Sequence, residues 1–309
     1  MASLTRSPSQ AVPALVRTAI EMTMISIVVP AHNEGSVIAR ALGAWVSNPG
    51  SDGMDVVVVC NGCTDNTAEI ARRFGPTARV IESEVASKTH ALNLGDQISR
   101  AFPRIYADAD IVITVDAIRA LTRRLEQGDV LVVAPTPDIT LTGCSWQVRK
   151  YYDIRSRLPS SREGIGGSGV YALSEEGRKR FTRFPDLIAD DMYVRLQFKP
   201  EERETLPSAR SIVFAPRTIS QLIAVRTRAH TGIFELAHYF PELRVNKAET
   251  NHRTLIALFK EPRLWSGLLI YCCVNILARC RASIRCRTGV SVWERDNTSR
   301  GEQSTASSK

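Results

Sequence analysis

From Met24 onward the chain repeats one pattern: an apolar run, a short polar turn, then a segment whose apolar residues recur at helical spacing. The runs are "ISIVVP", "MDVVVVC", "ARVIES" and "RIYAD", and the later "DVLVVAP" reads as a further buried strand. Strands that are apolar throughout and alternate with helices dictate a parallel sheet covered on both faces, with right-handed crossovers. After the first run, Val37, Ile38, Ala41, Leu42 and Trp45 share one helical face, and Asn33 is the expected cap. Thr64 is the expected cap of the second helix. Ligands in such folds bind beyond the carboxyl ends of the strands. Three polar clusters lie at those ends, "AHNE", "NGCTDNT" and "DAD", and a single cleft can gather all of them.

After about residue 140 the alternation gives way. "GIGGSGVYALSEEGRKRF" predicts a glycine-rich loop, a short strand and a capped helix. "FPDLIADDMYVRLQF" predicts a loop running into a helix, and "RTISQLIAVRTRAHTG" a helix with basic residues near its end. No linker rich in Gly, Ser or Pro divides these halves, so residues 24–247 are expected to form one α/β domain. A flexible extension, 1–23, is expected before it, a helical segment, 248–293, after it, and a disordered polar tail, 294–309, at the end.

A chain of 309 residues with 44% hydrophobic and 23% charged content is long enough for a full core and ordinary for a soluble protein, which sets class rather than function. The net charge of +8 is uneven: residues 248–309 hold ten Lys/Arg against five Asp/Glu. Arg279, Arg281, Arg285 and Arg287 follow the 15-residue apolar run Leu264 to Ala278. That run is shorter than the roughly 20 residues a helix needs to cross a bilayer. It reads either as a core helix with a solvated basic end or as a segment lying in a membrane interface, a peripheral membrane contact. The basic tail has little aromatic interleaving, which argues against nucleic acid as a partner. No secretory signal pattern is visible in the first 23 residues, and seven scattered cysteines suggest no disulfide framework. The expected location is therefore cytoplasmic, at the inner face of the cell membrane if the C-terminal segment engages it. Cys60 and Cys63 have the C-x-x-C spacing of a redox or zinc pair, but no second ligand pair accompanies them.

Within "YADAD", Asp108 and Asp110 are two residues apart, so in a strand they would project side by side and repel. A divalent cation bridging to a diphosphate would neutralise them; the alternative is a pair of solvated turn acids. Asp190 and Asp191, adjacent in "IADDMYVRL", would point about 100° apart on a helix. One can then face a cleft as a general base while the other is structural, or both are helix N-terminal charges that suit the macrodipole. "GIGGSG", with Gly166, Gly167 and Ser168, precedes a strand and so is not a dinucleotide fingerprint. It is either a place where backbone closely approaches a ligand or a tight turn. Arg226, Arg228 and Lys88 have the chemistry to face phosphate, and each is equally readable as a surface charge.

The order of these motifs resembles the inverting nucleotide-sugar glycosyltransferases of glycosyltransferase family 2, which have the GT-A fold, a Rossmann-like and mostly parallel sheet flanked by helices. "VVPAHNE" resembles the family's first-strand motif, which implies that Pro30, Ala31 and Glu34 line the nucleoside pocket. "NGCTDNT" resembles the second-strand turn D-G-S-T-D-x-T, placing Asn61 at the base, and "SKTHALNLG" resembles the segment whose basic residue, here Lys88, approaches the diphosphate. "DADI" takes the D-x-D position, implying Asp108 near the ribose and Asp110 on a metal, Mn2+ or Mg2+. "IADDMYVRL" resembles the E-D motif, whose second acid, here Asp191, is the catalytic base beside Asp190. "VRTRAHTG" resembles a degenerate Q-x-x-R-W element, implying Arg226 and Arg228 at the diphosphate, and Gly166, Gly167 and Ser168 would form an acceptor loop. The resemblance implies transfer of one sugar from a nucleoside-diphosphate sugar to a saccharide or lipid-linked acceptor, of the cell-surface polysaccharide or glycolipid type. The competing reading is a catalytically silent nucleotide-sugar-binding scaffold. Two departures stand out: Asn61 replaces the usual aspartate, and Ala229 stands where processive synthases have tryptophan.

Overall fold

The computed structural model describes residues 24–46, 51–246 and 251–288; the expected extension 1–23 and tail 294–309 lie outside the described residues. The first half alternates strictly: β1 (Ile25–Ala31), α1 (Ile38–Val46), β2 (Met54–Asn61), α2 (Thr67–Arg72), β3 (Ala78–Ser83), α3 (Lys88–Ile98) and β4 (Arg104–Ala107). β1 pairs in parallel with β2 and β4, and β2 with β3. The two-residue period of the strands assigns each side chain to a layer. Ile25, Ile27 and Val29 of β1 pack with Ile38, Ala41, Leu42 and Trp45 of α1 on one face, while Val28 packs with Leu92 of α3 on the other.

The second half comprises β5 (Val112–Ile113), α4 (Val115–Glu126), β6 (Val132–Thr140), α5 (Trp146–Ser156), β7 (Val170–Leu173), α6 (Glu175–Arg178), α7 (Asp190–Leu196) and β8 (Arg203–Phe214). Helices α8 (Ile219–Tyr239), α9 (His252–Leu258) and α10 (Trp265–Thr288) follow. Among the described residues the strands form one sheet in the order β3-β2-β1-β4-β7-β6-β8-β5. β7 runs antiparallel between β4 and β6, β8 is parallel to β6, and β5 is antiparallel to β8. The sheet is thus parallel in its first half and mixed in its second, which is why the regular alternation fades in the sequence.

Two expected caps do different work. Asn33 lies in the left-handed region (φ 53°), and its Oδ1 accepts from the backbone N–H groups of Thr64 (2.7 Å) and Asp65 (3.3 Å). It therefore knits the first two βα turns together instead of starting α1. Thr64 is consumed in that contact, and Asp65 Oδ1 instead accepts from the N–H of Thr67, where α2 begins. A buried ion cluster stiffens the layer under the cleft: Asp96 of α3 accepts from Arg104 (2.7 Å), Tyr106 (2.5 Å) and Arg178 (2.7 Å). Tyr106 in turn stacks on Tyr171, ring centres 5.1 Å apart.

The apolar run after Leu264 is the first part of a 24-residue helix, longer than its composition suggested. By length and composition alone, Pro262–Thr288 is enough to cross a membrane. Its inner face, Gly267, Leu268, Val274, Ala278 and Ala282, is buried, and Tyr271 stacks on Tyr151 of α5 at 5.1 Å. Its outer face leaves Trp265, Leu269, Ile276, Leu277 and Ile284 exposed.

Candidate active site

β4 stops at Ala107, so Asp108 and Asp110 sit in a turn beyond the strand rather than side by side within it. The turn is fixed by the N–H of Asp108 donating to the Gly169 carbonyl (2.9 Å) and that of Ile111 donating to the Asp108 carbonyl (3.2 Å). Facing Asp108 is the start of α3, where Ser87 caps the helix by accepting from the His90 N–H. Lys88, the first residue of that helix, places Nζ 2.8 Å from Asp108 Oδ1 and 3.1 Å from Asp190 Oδ1. One ammonium therefore ties the end of β4 to the start of α7.

The two adjacent acids of α7 occupy different environments. Asp190 is 3% exposed and held by Lys88. Asp191 is half-buried in the cleft wall, with Oδ1 accepting from the Met192 N–H at 2.7 Å. Burial raises the pKa of both above the ordinary carboxylate range; Lys88 opposes this for both, and Arg228 opposes it more weakly for Asp191. Burial would lower Lys88, but the charges of Asp108, Asp190 and Asp191 outweigh it and hold the ammonium protonated.

The glycine loop lies against two of these acids. Gly166 has φ +88°, and a side chain there would begin 3.8 Å from Asp191 Oδ2. Gly169 has φ +66°, and a Cβ would stand 2.5 Å from Ile111 Cγ1 and 3.4 Å from Asp108 Oδ2. Glycine is required where backbone must pass this close in a left-handed conformation. Gly167 closes the turn by donating to the Gly164 carbonyl at 3.0 Å. Ser168 departs from the expected acceptor loop: it is fully buried, its hydroxyl donates to the Val170 carbonyl at 2.6 Å, and its own carbonyl accepts from Ser211. It is a structural residue, because a hydroxyl buried there satisfies local backbone.

A cleft of about 370 Å³ opens over this group, lined by Lys88, Asp108, Gly166, Asp190 and Asp191 together with α5 and α8 residues that include Arg155, Arg226 and Arg228. A small recess beside it reaches Pro30, Tyr106 and Tyr171. Ala31, Glu34, Asn61 and Asp110 do not line either space. Ala31 and Asn61 are buried where the first two strands end, Asn61 with a side-chain oxygen that has no protein donor, and the Glu34 N–H donates to Thr67 Oγ1. The Cys63 thiol donates to the Ala31 carbonyl (3.3 Å), so this member of the C-x-x-C pair joins the two turns. Asp110 lies beside Arg40, whose guanidinium donates to its carbonyl at 3.4 Å.

Asp108 keeps 40% of its side chain exposed, a hard oxygen donor open to the cleft. Among the described residues no three His, Cys, Asp or Glu side chains enclose a cation position. The donor set fits a divalent ion that takes one or two carboxylates and completes its shell with phosphate oxygens and water, rather than an all-protein cage.

A mixed sheet of this order, with acids and a lysine at the carboxyl ends of its central strands, has the GT-A fold. Residues 26–168 match the family model of Glycosyl transferase family 2. Among solved structures the chain is similar to the mannosyltransferase PcManGT of Pyrobaculum calidifontis, in complex with GDP-Man and Mn2+. The two share 21% identity at a TM-score of 0.56, over 86% of this chain and 76% of that one. It is also similar to glucosyl-3-phosphoglycerate synthase of Mycobacterium tuberculosis, in complex with Mn2+, UDP-glucose and phosphoglyceric acid. There the identity is 20% and the TM-score 0.52, over 70% of this chain and 79% of that one. No curated protein sequence matches the chain.

Sequence reasoning missed several cleft residues. Arg195 of α7 forms an ion pair with Glu163 in the wall, and Arg155, Ser160 and Met192 line the same space. α5 carries Arg149 and Lys150, both exposed, besides Arg155, so a basic residue on this helix gave no signal that singled out the one at the cleft.

Proposed function

We propose that the chain is an inverting transferase that moves one sugar from a nucleoside-diphosphate sugar to an acceptor hydroxyl, with Asp191 as general base. The observation that carries this reading is the convergence of Lys88, Asp108, Asp190 and Asp191 on one cleft at the strand ends. The nucleotide sugars and Mn2+ held by the two similar structures support the donor class.

Asp191 takes the proton of the acceptor hydroxyl as its oxygen attacks the anomeric carbon; the new C–O bond forms on the face opposite the breaking bond to the diphosphate. Asp191 suits this task better than Asp190 because it faces the cleft and is not engaged by Lys88 at bonding distance. Burial, by raising its pKa, makes it a stronger base than a free carboxylate while leaving it ionised on the alkaline side of that value. Asp190 holds Lys88 in place, and Lys88 presents positive charge toward the diphosphate through its exposed Asp108 side. Pro30, Ala31, Glu34 and Asn61 form the nucleoside end, and Gly166 leaves room for the acceptor. Asp108 and Asp110 would hold a divalent metal, Mn2+ or Mg2+, which when bound offsets charge on the leaving diphosphate.

The acceptor is a saccharide or lipid-linked hydroxyl, and the outer face of α10 supports contact with a membrane: Trp265, Leu269 and Ile276 are exposed and Arg279, Arg281 and Arg287 flank them. Co-sedimentation with anionic vesicles tests this, and Leu269→Asp with Ile276→Asp should abolish it; equal sedimentation of the double variant would remove the membrane contact.

The decisive test pairs binding with turnover. Asp191→Asn should reduce transfer at least about 100-fold while UDP, GDP, dTDP or CDP with Mn2+ raises the melting temperature as in the unaltered protein. Unchanged turnover in the variant removes Asp191 from this role. Nucleotide binding without turnover by the unaltered protein, across donor and acceptor panels, would favour the scaffold reading.

A further inference from the structure

The cations that line the cleft differ in one respect. Lys88 is paired with Asp108 and Asp190, and Arg195 with Glu163. The guanidinium of Arg155, near the end of α5, has no hydrogen bond or ion pair among the described residues. The guanidinium of Arg226 of α8 has one hydrogen-bond partner among the described residues, the side-chain oxygen of Asn275, at a long 3.5 Å. Both are half-buried, both line the cleft, and both act electrostatically on the hydroxyls of Tyr152 and Tyr271, which places them in one corner. Ser160 lines the same space. Two guanidinium groups held together and partly desolvated repel each other unless an anion offsets them.

We propose that Arg155 and Arg226 form an anion subsite for the acceptor, so that the acceptor carries a phosphate group at a distance from the hydroxyl that Asp191 activates. This deepens the transferase reading and rests on it. Lys88, Asp108, Asp190 and Asp191 line both the cleft and the recess beside it; Pro30, expected at the nucleoside, lines only the recess, and Arg155 and Arg226 line only the cleft. Arg226 therefore serves the acceptor rather than the donor diphosphate. Planar guanidinium forks are suited to phosphate oxygens, and two of them discriminate a phosphate ester from a neutral sugar.

The test is a calorimetric titration of the full chain with glycerol 3-phosphate and with glycerol, with Mn2+ and a saturating nucleoside diphosphate present. Arg155→Gln, Arg226→Gln and the exposed control Arg157→Gln are compared with the unaltered protein, each checked for an unchanged melting temperature. The expected result is binding of the phosphate ester but not of glycerol, weakened at least tenfold by Arg155→Gln and by Arg226→Gln, unchanged by Arg157→Gln, and with nucleoside diphosphate affinity within twofold throughout. A parallel arm uses phosphatidylcholine vesicles with and without phosphatidate. Loss on the phosphatidate vesicles alone assigns the phosphate to a lipid, and loss with the soluble ester assigns it to a soluble acceptor. Phosphate binding unaffected by both variants, no binding of either phosphate probe, or an equal loss of nucleoside diphosphate affinity overturns the subsite. If no nucleoside diphosphate binds at all, the donor reading fails on its own, and the same titration without nucleotide still decides whether Arg155 and Arg226 hold phosphate.

Discussion

Replacing Lys88 with methionine removes the ammonium between Asp108 and Asp190 while keeping most of the side chain's length. Removing one partner of a buried ion pair costs about 3–5 kcal/mol, because the remaining charge is left unsolvated. Asp190, with 4% of its side chain exposed, meets that condition. Asp108, at 40%, is screened by water and adds well under about 1 kcal/mol. Lys88→Met should therefore lose about 3 kcal/mol near pH 7.5, a large share of the roughly 5–15 kcal/mol of a typical domain. The loss should also depend on pH. Burial, which outweighs Lys88, pushes Asp190 up to about 6 in the folded chain, against about 3.9 for an unperturbed aspartate. A carboxyl whose folded pKa is raised contributes less to stability as pH climbs through that interval, since the folded state binds the proton more tightly. Without Lys88 the value rises further, by about 1.4 kcal/mol of destabilisation per unit. Lys88 itself, raised above the ordinary lysine value, stays charged across this window and adds no slope. The two proteins should thus differ least near about pH 5, where Asp190 is protonated in both, and diverge above about pH 6. Urea unfolding of both proteins across this range gives the difference directly. A deficit below about 1 kcal/mol near pH 7.5, or one of equal size near pH 5, would refute the claim that Lys88 holds a buried Asp190 charge.

Gly169→Ala should cost about 2–4 kcal/mol, of which about 1 is the left-handed backbone and about 1–3 the overlap with Ile111, and an Ile111→Ala background should recover only the second part on thermal melting. Asp96→Asn should destabilise by about 3 kcal/mol at neutral pH, by leaving Arg104 and Arg178 without their carboxylate. Burial opposes the charge on Asp96, but hydrogen bonds from Arg178, Tyr106 and Arg104 hold its pKa below the carboxylate range. Its contribution is therefore present above about pH 3.9 and lost as pH falls through the lowered value, so acid unfolding should be less steep in the variant. The rate of transfer should rise with pH along a limb set by Asp191, above the ordinary carboxylate range, and Asp191→Asn should remove that limb from the pH profile.

The central strands were legible because they are buried on both faces, and a strand such as β2, with Val56 to Val59 in succession, has few other places to go. The same reasoning located the polar clusters at the strand ends. It did not give the role of Asn33, since a short polar side chain can cap a helix or bridge two turns, and only the approach of "NGCTDNT" selects the second. It read Asp108 and Asp110 at the end of β4 but did not give the turn itself, because a local pattern of alternating residues gives no sign that the Asp108 N–H donates to the carbonyl of Gly169, far along the chain, just beyond Ala107. The charge that repulsion between two strand carboxylates seemed to demand is present, yet in a different arrangement. Lys88 stands between Asp108 and Asp190, two acids from separate motifs that meet only when α3 and α7 point their first residues at each other. Its bond to Asp190 is shielded and its bond to Asp108 is open to the cleft. On the proposed transferase reading, an incoming diphosphate would meet the ammonium from the Asp108 side, while Asp190 keeps it from swinging away. This asymmetry explains why two adjacent acids of α7 need different surroundings: one holds the lysine in place, and the other is left facing the cleft.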